Sequence, residues 1–339
     1  MKHIVLTSTP DEDLAGKWNA FIAGARFATH YVTPNYFTDP YVRRERFAVL
    51  AVGDDDEIAA VMTGFFDKEK IVSGMFSRPQ MVFGHGADRE RVVKELLDGV
   101  NELGNKTKLI EIYSWEKIPE FAGHGMQMRP SNNENSVVMI DLSKGPDAIF
   151  ANFSQTRRNE LRKAMKQGMV EVKELDTDKE LVELYKIHCD WCARKGNPAD
   201  TFEQMQTAAF DRKNRRIFIA KTEGKVIAGS FYRFAPGSVM EYAGNFSMPE
   251  YQKLRPNDLI GWRAIERACN SGISLFSMGG SHLFLRRFGG ETMTTYRYRR
   301  DQSFLRLHDL RETAIEFSVA GYRRMPENIR AGMRRILAK

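Results

Sequence analysis

Leu254-Arg255-Pro256-Asn257-Asp258-Leu259-Ile260-Gly261-Trp262 is the stretch on which the second half of the chain turns. Pro256 cannot lie inside a helix, and Asn257 or Asp258 is a good N-cap, so a helix is predicted to open here. Leu259, Trp262, Ile265 and Cys269 recur at helical spacing and Gly272 fits the exit. A helix start beyond a strand offers free N–H groups, and Arg255 adds positive charge beside them. Arg255 and Asn257 are therefore candidates for holding an anion such as a phosphate. An ordinary strand-to-helix turn reads the same residues equally well.

Outward from this stretch the chain repeats itself. Ile217–Lys221 and Val226–Phe234 flank the turn Thr222-Glu223-Gly224-Lys225 as a β-hairpin. Val239–Gly244 is the next strand, Asn257–Asn270 the helix and Ile273–Met278 the strand after it. The same order stands earlier. Phe47–Val52 and Ile58–Phe66 form a hairpin, followed by strands near Ile71–Phe76 and Met81–Phe83. Val92, Val93, Leu96, Leu97, Val100 and Leu103 mark a helix ending at Gly104, and Lys108–Tyr113 is a buried strand. Hairpin start to helix start runs from 47 to 88 in one half and from 217 to 257 in the other. Two copies of hairpin–strand–helix–strand imply a duplicated α/β (α+β) unit.

Around these copies, Asp11–Ala23 reads as a helix and Tyr31–Pro40 as an aromatic loop. Asn135–Leu142 is a strand, and Pro146–Gln167 holds one or two helices ended by Gly168. Leu181–Arg194 and Thr201–Lys213 are two more helices, Thr292–Arg299 alternates as a strand, and Leu310–Arg324 is a helix. The predicted division is a first domain over 1–145, a second over 146–320 and a basic C-terminal helix over 321–339.

The 339 residues suit about two domains. No run of about 20 apolar residues is present to span a bilayer, and Met1–Ala15 lacks a signal-peptide apolar region. Three cysteines, an odd number, fit a reducing cytoplasm better than a disulfide framework. The net charge of +7 favours an anionic partner. Much of it is local: Val319–Lys339 carries six Lys/Arg against one Glu, and Arg157–Lys166 five against one. The terminal segment, with Ile329, Met333, Ile336 and Leu337 among arginines, suits a peripheral contact with an anionic membrane, RNA, or packing on the domain.

The most distinctive polar run is Ser154-Gln155-Thr156-Arg157-Arg158-Asn159-Glu160-Leu161-Arg162-Lys163-Ala164-Met165-Lys166-Gln167-Gly168. Ser154 is a candidate N-cap, and Arg157, Arg158, Arg162 and Lys163 project around the first turns. A guanidinium fork matches phosphate or carboxylate, so these four are candidate substrate-binding residues; a solvated basic face is the plainer alternative. His188-Cys189-Asp190-Trp191-Cys192 has C-x-x-C spacing but no partner pair, so no metal is assigned to it. Gly84-His85-Gly86 reads as a tight turn.

Phe153–Gly168 resembles the S-x-x-x-R-x-x-x-R-K-A-x-x-x-G helix of FemAB-type peptidyltransferases and of related BioF2-like acetyltransferases. Arg194-Lys195-Gly196 is similar to the family's short Arg-rich element. Tyr251–Leu259 resembles its loop-to-helix signature, Ser277-Met278-Gly279-Gly280 its strand ending D-x-G-G, and Arg286-Arg287-Phe288-Gly289-Gly290 its K-x-x-F-G-G. The matches run in order from about Asn135 to Arg299. The resemblance implies tandem GNAT-like (GCN5-related N-acyltransferase) domains. It implies an aminoacyltransferase or acyltransferase with no permanently bound cofactor, drawing on aminoacyl-tRNA or acyl-CoA as co-substrate. The implied acceptor is an anionic small molecule, a nucleotide-sugar or lipid-linked peptide precursor of peptidoglycan. The implied place is the cytoplasm or the inner membrane face.

Such a reaction needs a neutral amine, donors for the tetrahedral oxyanion and an acceptor for a proton, with no triad. Carried over by position, Arg157, Arg158, Arg162, Lys163 and Arg287 would hold substrate, and Arg255 with Asn257 would lie near the donor path. Arg297 and Arg299, which alternation puts on one strand face, are candidate cations at the reacting carbonyl. Glu241 and Tyr242 are candidates for moving the proton. Two departures stand out. Gln252–Asp258 contains no glycine, unlike the pyrophosphate loop of CoA-binding relatives, and no long coiled-coil arm follows the Arg-rich helix. A CoA-dependent N-acetyltransferase on another amine and a non-catalytic polyanion-binding protein are the competing readings.

Overall fold

The computed structural model describes residues 1–104, 107–129 and 136–325. The first half runs β1 (Lys2–Leu6), α1 (Glu12–Gly24), β2 (Arg46–Val52), β3 (Ile58–Asp67), β4 (Lys70–Ser73), β5 (Met81–Phe83), α2 (Arg89–Leu103), β6 (Leu109–Ser114) and β7 (Gln127–Arg129). Next come β8 (Ser136–Asp141), α3 (Gly145–Asn152), α4 (Gln155–Gln167), β9 (Glu171–Glu174), α5 (Asp178–Lys195) and α6 (Phe202–Phe210). Then follow β10 (Arg215–Thr222), β11 (Lys225–Phe234), β12 (Val239–Ser247), α7 (Pro256–Cys269), β13 (Leu275–Ser277), α8 (Leu283–Arg286), β14 (Glu291–Thr294), β15 (Tyr296–Asp301) and α9 (Leu307–Arg324).

The expected local elements form for the expected reasons. The Asp88 carboxylate accepts from Arg91 N–H to start α2, whose Val92, Val93, Leu96, Leu97 and Val100 are buried on the first sheet. The Ser154 hydroxyl accepts from Arg157 N–H to start α4, and Gly168 at φ 64° closes it. The start of α7 differs from the expected Asn257 or Asp258 cap. Arg255 takes a left-handed φ of 58° and Pro256 is the first helical residue, where its missing N–H costs nothing.

Strand order exposes the duplication. The first sheet runs β1-β2-β3-β4-β6-β15-β7, with β5 also on β3; the second, read in the same sense, runs β9-β10-β11-β12-β13-β8-β14. The fourth and fifth strands are parallel in both, β4 with β6 and β12 with β13. β4 and β5 together occupy beside β3 the place that the single strand β12 occupies beside β11, interrupted by residues 74–80.

The sixth place in each sheet is filled by the other half. β8 leaves the first half and inserts between β13 and β14; β15 leaves the second and inserts between β6 and β7. The domain boundary expected at 145/146 therefore does not separate the sheets. The single strand expected over Thr292–Arg299 is two, broken at the buried Thr295, where the chain passes from one sheet to the other. Of the basic helix expected over 321–339, residues 321–324 end α9, and 326–339 lie outside the described residues.

Two large apolar clusters fill the halves, one where α2 meets the first sheet and one where α3, α4 and α7 meet the second. A third lies under α5 and α6. The halves meet through Trp115 against Val137, Met139, Val239 and Leu275, and through Ala235 in the α1 cluster. The β11–β12 turn presses so closely on the end of α1 that a Cβ on Gly237 (φ 73°) would stand 2.5 Å from the Ala23 carbonyl oxygen. Among the described residues no helix is long and apolar enough to cross a membrane.

Tyr298 on β15 is a keystone of the exchange: its hydroxyl accepts from Ile118 N–H at 2.6 Å and its ring meets Phe121 edge-on at 4.9 Å. Tyr298→Ala should cost about 3–5 kcal/mol, the range for a large aromatic truncated in a core. Because β15 belongs to one half and completes the other, urea unfolding followed by fluorescence and by circular dichroism should still show one coincident transition.

Candidate active site

The second sheet parts at one point. β12 pairs with β13 only from Val239 to Glu241, opposite Leu275 to Ser277. Beyond it, Gly279 (φ 69°) passes so close that a Cβ there would lie 2.5 Å from the Tyr242 carbonyl oxygen. From Tyr242 to Ser247, β12 continues along β11, and the backbone groups of its other edge have no strand partner among the described residues. The register with β11 also slips between Phe231 and Tyr232, leaving Ala243 as a bulge. Bulges of this kind re-aim side chains beside a site.

Glu241 stands at the apex of this opening, buried, and one carboxylate oxygen is bound by Arg78 from the 74–80 segment of the first half. Its other oxygen accepts no hydrogen bond from the described residues. Behind it, a cavity of about 230 Å³ is lined by Tyr41, Asp200, Arg215, Arg233, Gly244 and Phe246. Arg233 faces Glu241 across β11 and β12 and donates to the Tyr31 hydroxyl. Its guanidinium lies 5.3 Å from the Tyr31 ring centre and 5.7 Å from that of Tyr41. No acidic group among the described residues forms an ion pair with it. Burial lowers its pKa and the charge of Glu241 opposes this.

Of the cavity's lining residues, Arg215 is held from behind by two further buried groups, His30 and Asp39. His30 Nε2 lies 2.7 Å and an Arg215 nitrogen 2.6 Å from Asp39 Oδ2. Burial takes His30 below the ordinary imidazole value, so it is neutral at pH 7. Burial works against the Asp39 charge, but the His30 bond and the Arg215 charge hold its carboxyl below the usual range. None of His30, Asp39, Arg78, Arg215 or Arg233 stands out in the sequence. Their contacts cross from one half to the other, and the only local signal is a histidine and an aspartate in an otherwise aromatic segment.

The arginines singled out from the sequence are elsewhere. Arg157 is buried in an ion pair with Asp258, donates to the Phe284 carbonyl at 3.1 Å, and lies over the Phe284 and Phe288 rings at 4.5 and 4.4 Å. Burial, with Arg287 and Arg255 nearby, pushes its pKa down to about 10, so it stays charged. It fastens α4 to α7 and has no free face for substrate. Arg158 binds the carbonyls of Ala151 and Phe153, finishing α3. Arg162 lies over Phe150.

Arg297 and Arg299 share a face as expected, but in the first sheet. Arg297 bonds Glu111 at 2.8 Å and pairs with Glu312; Arg299 pairs with Glu312 and with Asp309 at 3.3 Å. They tie α9 to β6 and β15 and are not at the opening. Tyr242 faces the α7 side, its ring 5.9 Å from Tyr232, with burial raising its pKa far above the usual phenol value, which unfits it as a base.

Arg255, Asn257, Lys163 and Arg287 keep freedom. Arg255 pairs with Glu160 at 2.5 Å but is nearly half exposed, and with Lys163 and Lys253 it lines an open groove of about 670 Å³. The Asn257 amide donates to the Ser247 hydroxyl at 3.2 Å, and its buried oxygen has no partner among the described residues. Arg287 is half-buried beside Arg157, with no ion pair among the described residues. No His, Cys, Asp or Glu group suited to a metal ion occurs among the described residues.

Residues 151–309 match the family model described as an acetyltransferase (GNAT) domain. The UDP-N-acetylmuramoylpentapeptide-lysine N(6)-alanyltransferase of Weissella viridescens is 28% identical over 151 residues, which span 42% of this chain and 43% of that one. Among solved structures, a crystal structure of FemX aligns over 89% of this chain and 98% of its own with a TM-score of 0.68 at 14% identity. The C-terminal domain of a putative lysylphosphatidylglycerol synthetase from Agrobacterium fabrum gives 0.58 at 11%, covering 89% of this chain and 96% of that one. A tandem GNAT protein from the clavulanic acid pathway gives 0.53 at 10%, covering 89% and 99%. At these identities the structural likeness is one of fold, and that fold is the tandem GNAT arrangement.

Two outcomes follow from the buried charges. Arg157→Met or Asp258→Asn alone should cost about 3–5 kcal/mol by stranding the partner, and Arg157→Met with Asp258→Leu should recover most of it in urea titrations. His30, depressed in the folded state, makes the unfolded chain the better proton binder below about pH 6.5. The His30 contribution to stability should therefore be lost as pH drops from 7.5 towards 5.5, against the opposite contribution of His3, whose bonds to Glu95 and Glu102 raise its pKa, and the Asp39 contribution should be lost below about pH 4. His30→Gln should flatten the first of these losses in Tm against pH.

Proposed function

We propose a function from the premise that the chain carries the GNAT fold and fits its FemAB type: it transfers an aminoacyl group from an activated ester to an amine of an anionic acceptor. The observation that carries this reading is the parting of β12 and β13 over Glu241, with one carboxylate oxygen unpartnered and Arg233 without an ion pair behind it among the described residues. The donor carbonyl lies along the free edge of β12, where backbone N–H groups meet the oxyanion as it develops. The acceptor enters the cavity from the α5–α6 side. Its anionic group rests against Arg233, and its amine points through the gap at the carbonyl.

The amine attacks in its neutral form. As the C–N bond forms, its proton passes to the unpartnered oxygen of Glu241, and as the tetrahedral intermediate collapses the C–O bond breaks and that proton goes to the departing ester oxygen, which leaves as an alcohol. Arg78 holds Glu241 in place, while the buried His30–Asp39 pair anchors Arg215 in the cavity wall. Holding both reactants at one opening supplies the rest of the acceleration.

For the donor we favour aminoacyl-tRNA over acyl-CoA. The first turn of α7 is filled by Asp258 and its partner Arg157, leaving no glycine-lined cradle for a pyrophosphate. The groove beside it, with Lys163, Lys253 and Arg255, suits a nucleic-acid backbone. For the acceptor we favour a peptidoglycan precursor peptide in the cytoplasm, in keeping with the name of the alanyltransferase that the chain partly matches.

The test supplies the purified protein with charged tRNAs or with acyl-CoA, and with a nucleotide-linked muramyl pentapeptide, and reads the mass of the acceptor. Gain of one amino-acid residue from charged tRNA is expected; transfer from acyl-CoA alone would replace the donor proposed here. Glu241→Gln should lower kcat by about 10²–10⁴-fold with KM little changed. Arg233→Met should instead raise the acceptor KM, and polyanion binding with no transfer from any donor would refute the enzymatic reading.

A further inference from the structure

α9 is held by charge on one side and left apolar on the other. Asp309 meets Arg129 at 2.7 Å and Arg299 at 3.3 Å, Glu312 pairs with Arg297 and Arg299, and Glu316 adds its field at Arg297. At 100° per residue these three acids share one face of the helix, the face turned to β7 and β15. The opposite side carries Leu307, Leu310, Ala314 and Phe317 at i, i+3, i+7 and i+10. All four are exposed, and Phe317 is 75% so. Just before the helix, Leu305 and Arg306 both take left-handed φ values, 53° and 51°, and the turn presents Phe304 81% exposed.

Arginines border this stripe. Arg324 falls on one margin and Arg311 on the other, Arg306 stands exposed in the turn at the helix start, and every acid of the helix is on the inward face. An apolar band edged by guanidinium groups fits phosphate headgroups above acyl chains. It does not fit a two-fold contact with a second copy, which would set arginine against arginine. A nucleic acid would answer the arginines but leave the apolar band exposed.

We propose that α9 and the turn before it form a docking surface for an anionic lipid bilayer. The helix lies flat, with Phe304, Leu307, Leu310 and Phe317 in the interface and Arg306, Arg311 and Arg324 on lipid phosphates. The surface is separate from the β12–β13 opening and does not rest on the transferase reading.

The full chain is sedimented with phosphatidylcholine vesicles and with mixed phosphatidylcholine–phosphatidylglycerol vesicles. Binding should require phosphatidylglycerol and weaken with salt. It should drop about tenfold or more in Phe304→Ser/Phe317→Ser and in Arg306→Gln/Arg311→Gln/Arg324→Gln, with thermal unfolding unchanged because none of these side chains is packed. No vesicle binding by the wild type, or binding that both variants leave unaltered, overturns the proposal. So does a lipid-independent dimer in light scattering that Phe304→Ser/Phe317→Ser dissolves, since that gives the face to a second copy. RNA retention lost in the arginine variant alone, without vesicle binding, gives it to nucleic acid.

Discussion

The exchange of one strand between two sheets is the constraint that the rest of the molecule obeys. Without β15, β6 has no antiparallel neighbour on that side and β7 has nothing to pair with; without β8, the same is true of β13 and β14. Each half reaches its full sheet only when the other donates. The two halves therefore cannot drift apart, and the cavity between Tyr41 of one and Arg215 and Arg233 of the other has a fixed width. Both strands are short, and the ladder alone would hold them weakly. Apolar side chains such as Tyr298 and Val138, buried on the faces, make the exchange firm.

Fixing the halves also makes buried charge tolerable. Arg78 with Glu241, and Asp39 with Arg215, are ion pairs whose members come from opposite halves. A buried carboxylate costs several kcal/mol unless a partner is held in place. Here the partner is held by strands locked in different sheets. The duplication also explains why the site occurs once. In the first half, the place of the free edge of β12 is interrupted by residues 74–80, and it is this interruption that delivers Arg78 to Glu241 of the second half. One copy has kept an opening, and the other has turned its own into a lining for it.

Legibility in the sequence divides along the same line. Local pattern located α2 through Val92–Val100, α4 through Ser154 and Gly168, and the hairpins through their apolar runs, since periodicity and caps depend on near neighbours. Ordered motifs identified the tandem GNAT architecture. Sequence pattern is silent on which sheet a strand joins, so β8 and β15 were placed with their chain neighbours. The surroundings of the arginines are hidden for a related reason: within Arg157–Lys166 every cation looks equally solvated. The informative residue was Asp258, an acid followed by Leu259, Ile260 and Trp262 on a buried helix face, which demands a buried cation. Alternation puts Arg297 and Arg299 on one face and only the family resemblance implies a catalytic role for them, while Glu312 and Asp309 lie close enough in sequence to be their partners.

The charges at the opening differ in kind from those found by motif. Arg157, Arg297 and Arg299 each have acids at bonding distance and serve the fold. Arg233 has a tyrosine hydroxyl and two aromatic faces, and the carboxylate whose field it feels, Glu241, is already bound by Arg78. Asp211 and Asp200 stand nearby, but Asp211 pairs with Arg215, at 3.5 Å, and accepts from the Lys213 N–H, and Asp200, at the mouth, approaches His188. With His30 neutral, the inner set of Arg78, Arg215 and Arg233 against Asp39 and Glu241 holds one more positive than negative charge. A half-buried cation without an acid at bonding distance is costly to the fold on its own. It is sensible where an anion arrives from outside, and its position directly behind Glu241 joins that anion to the bond being made.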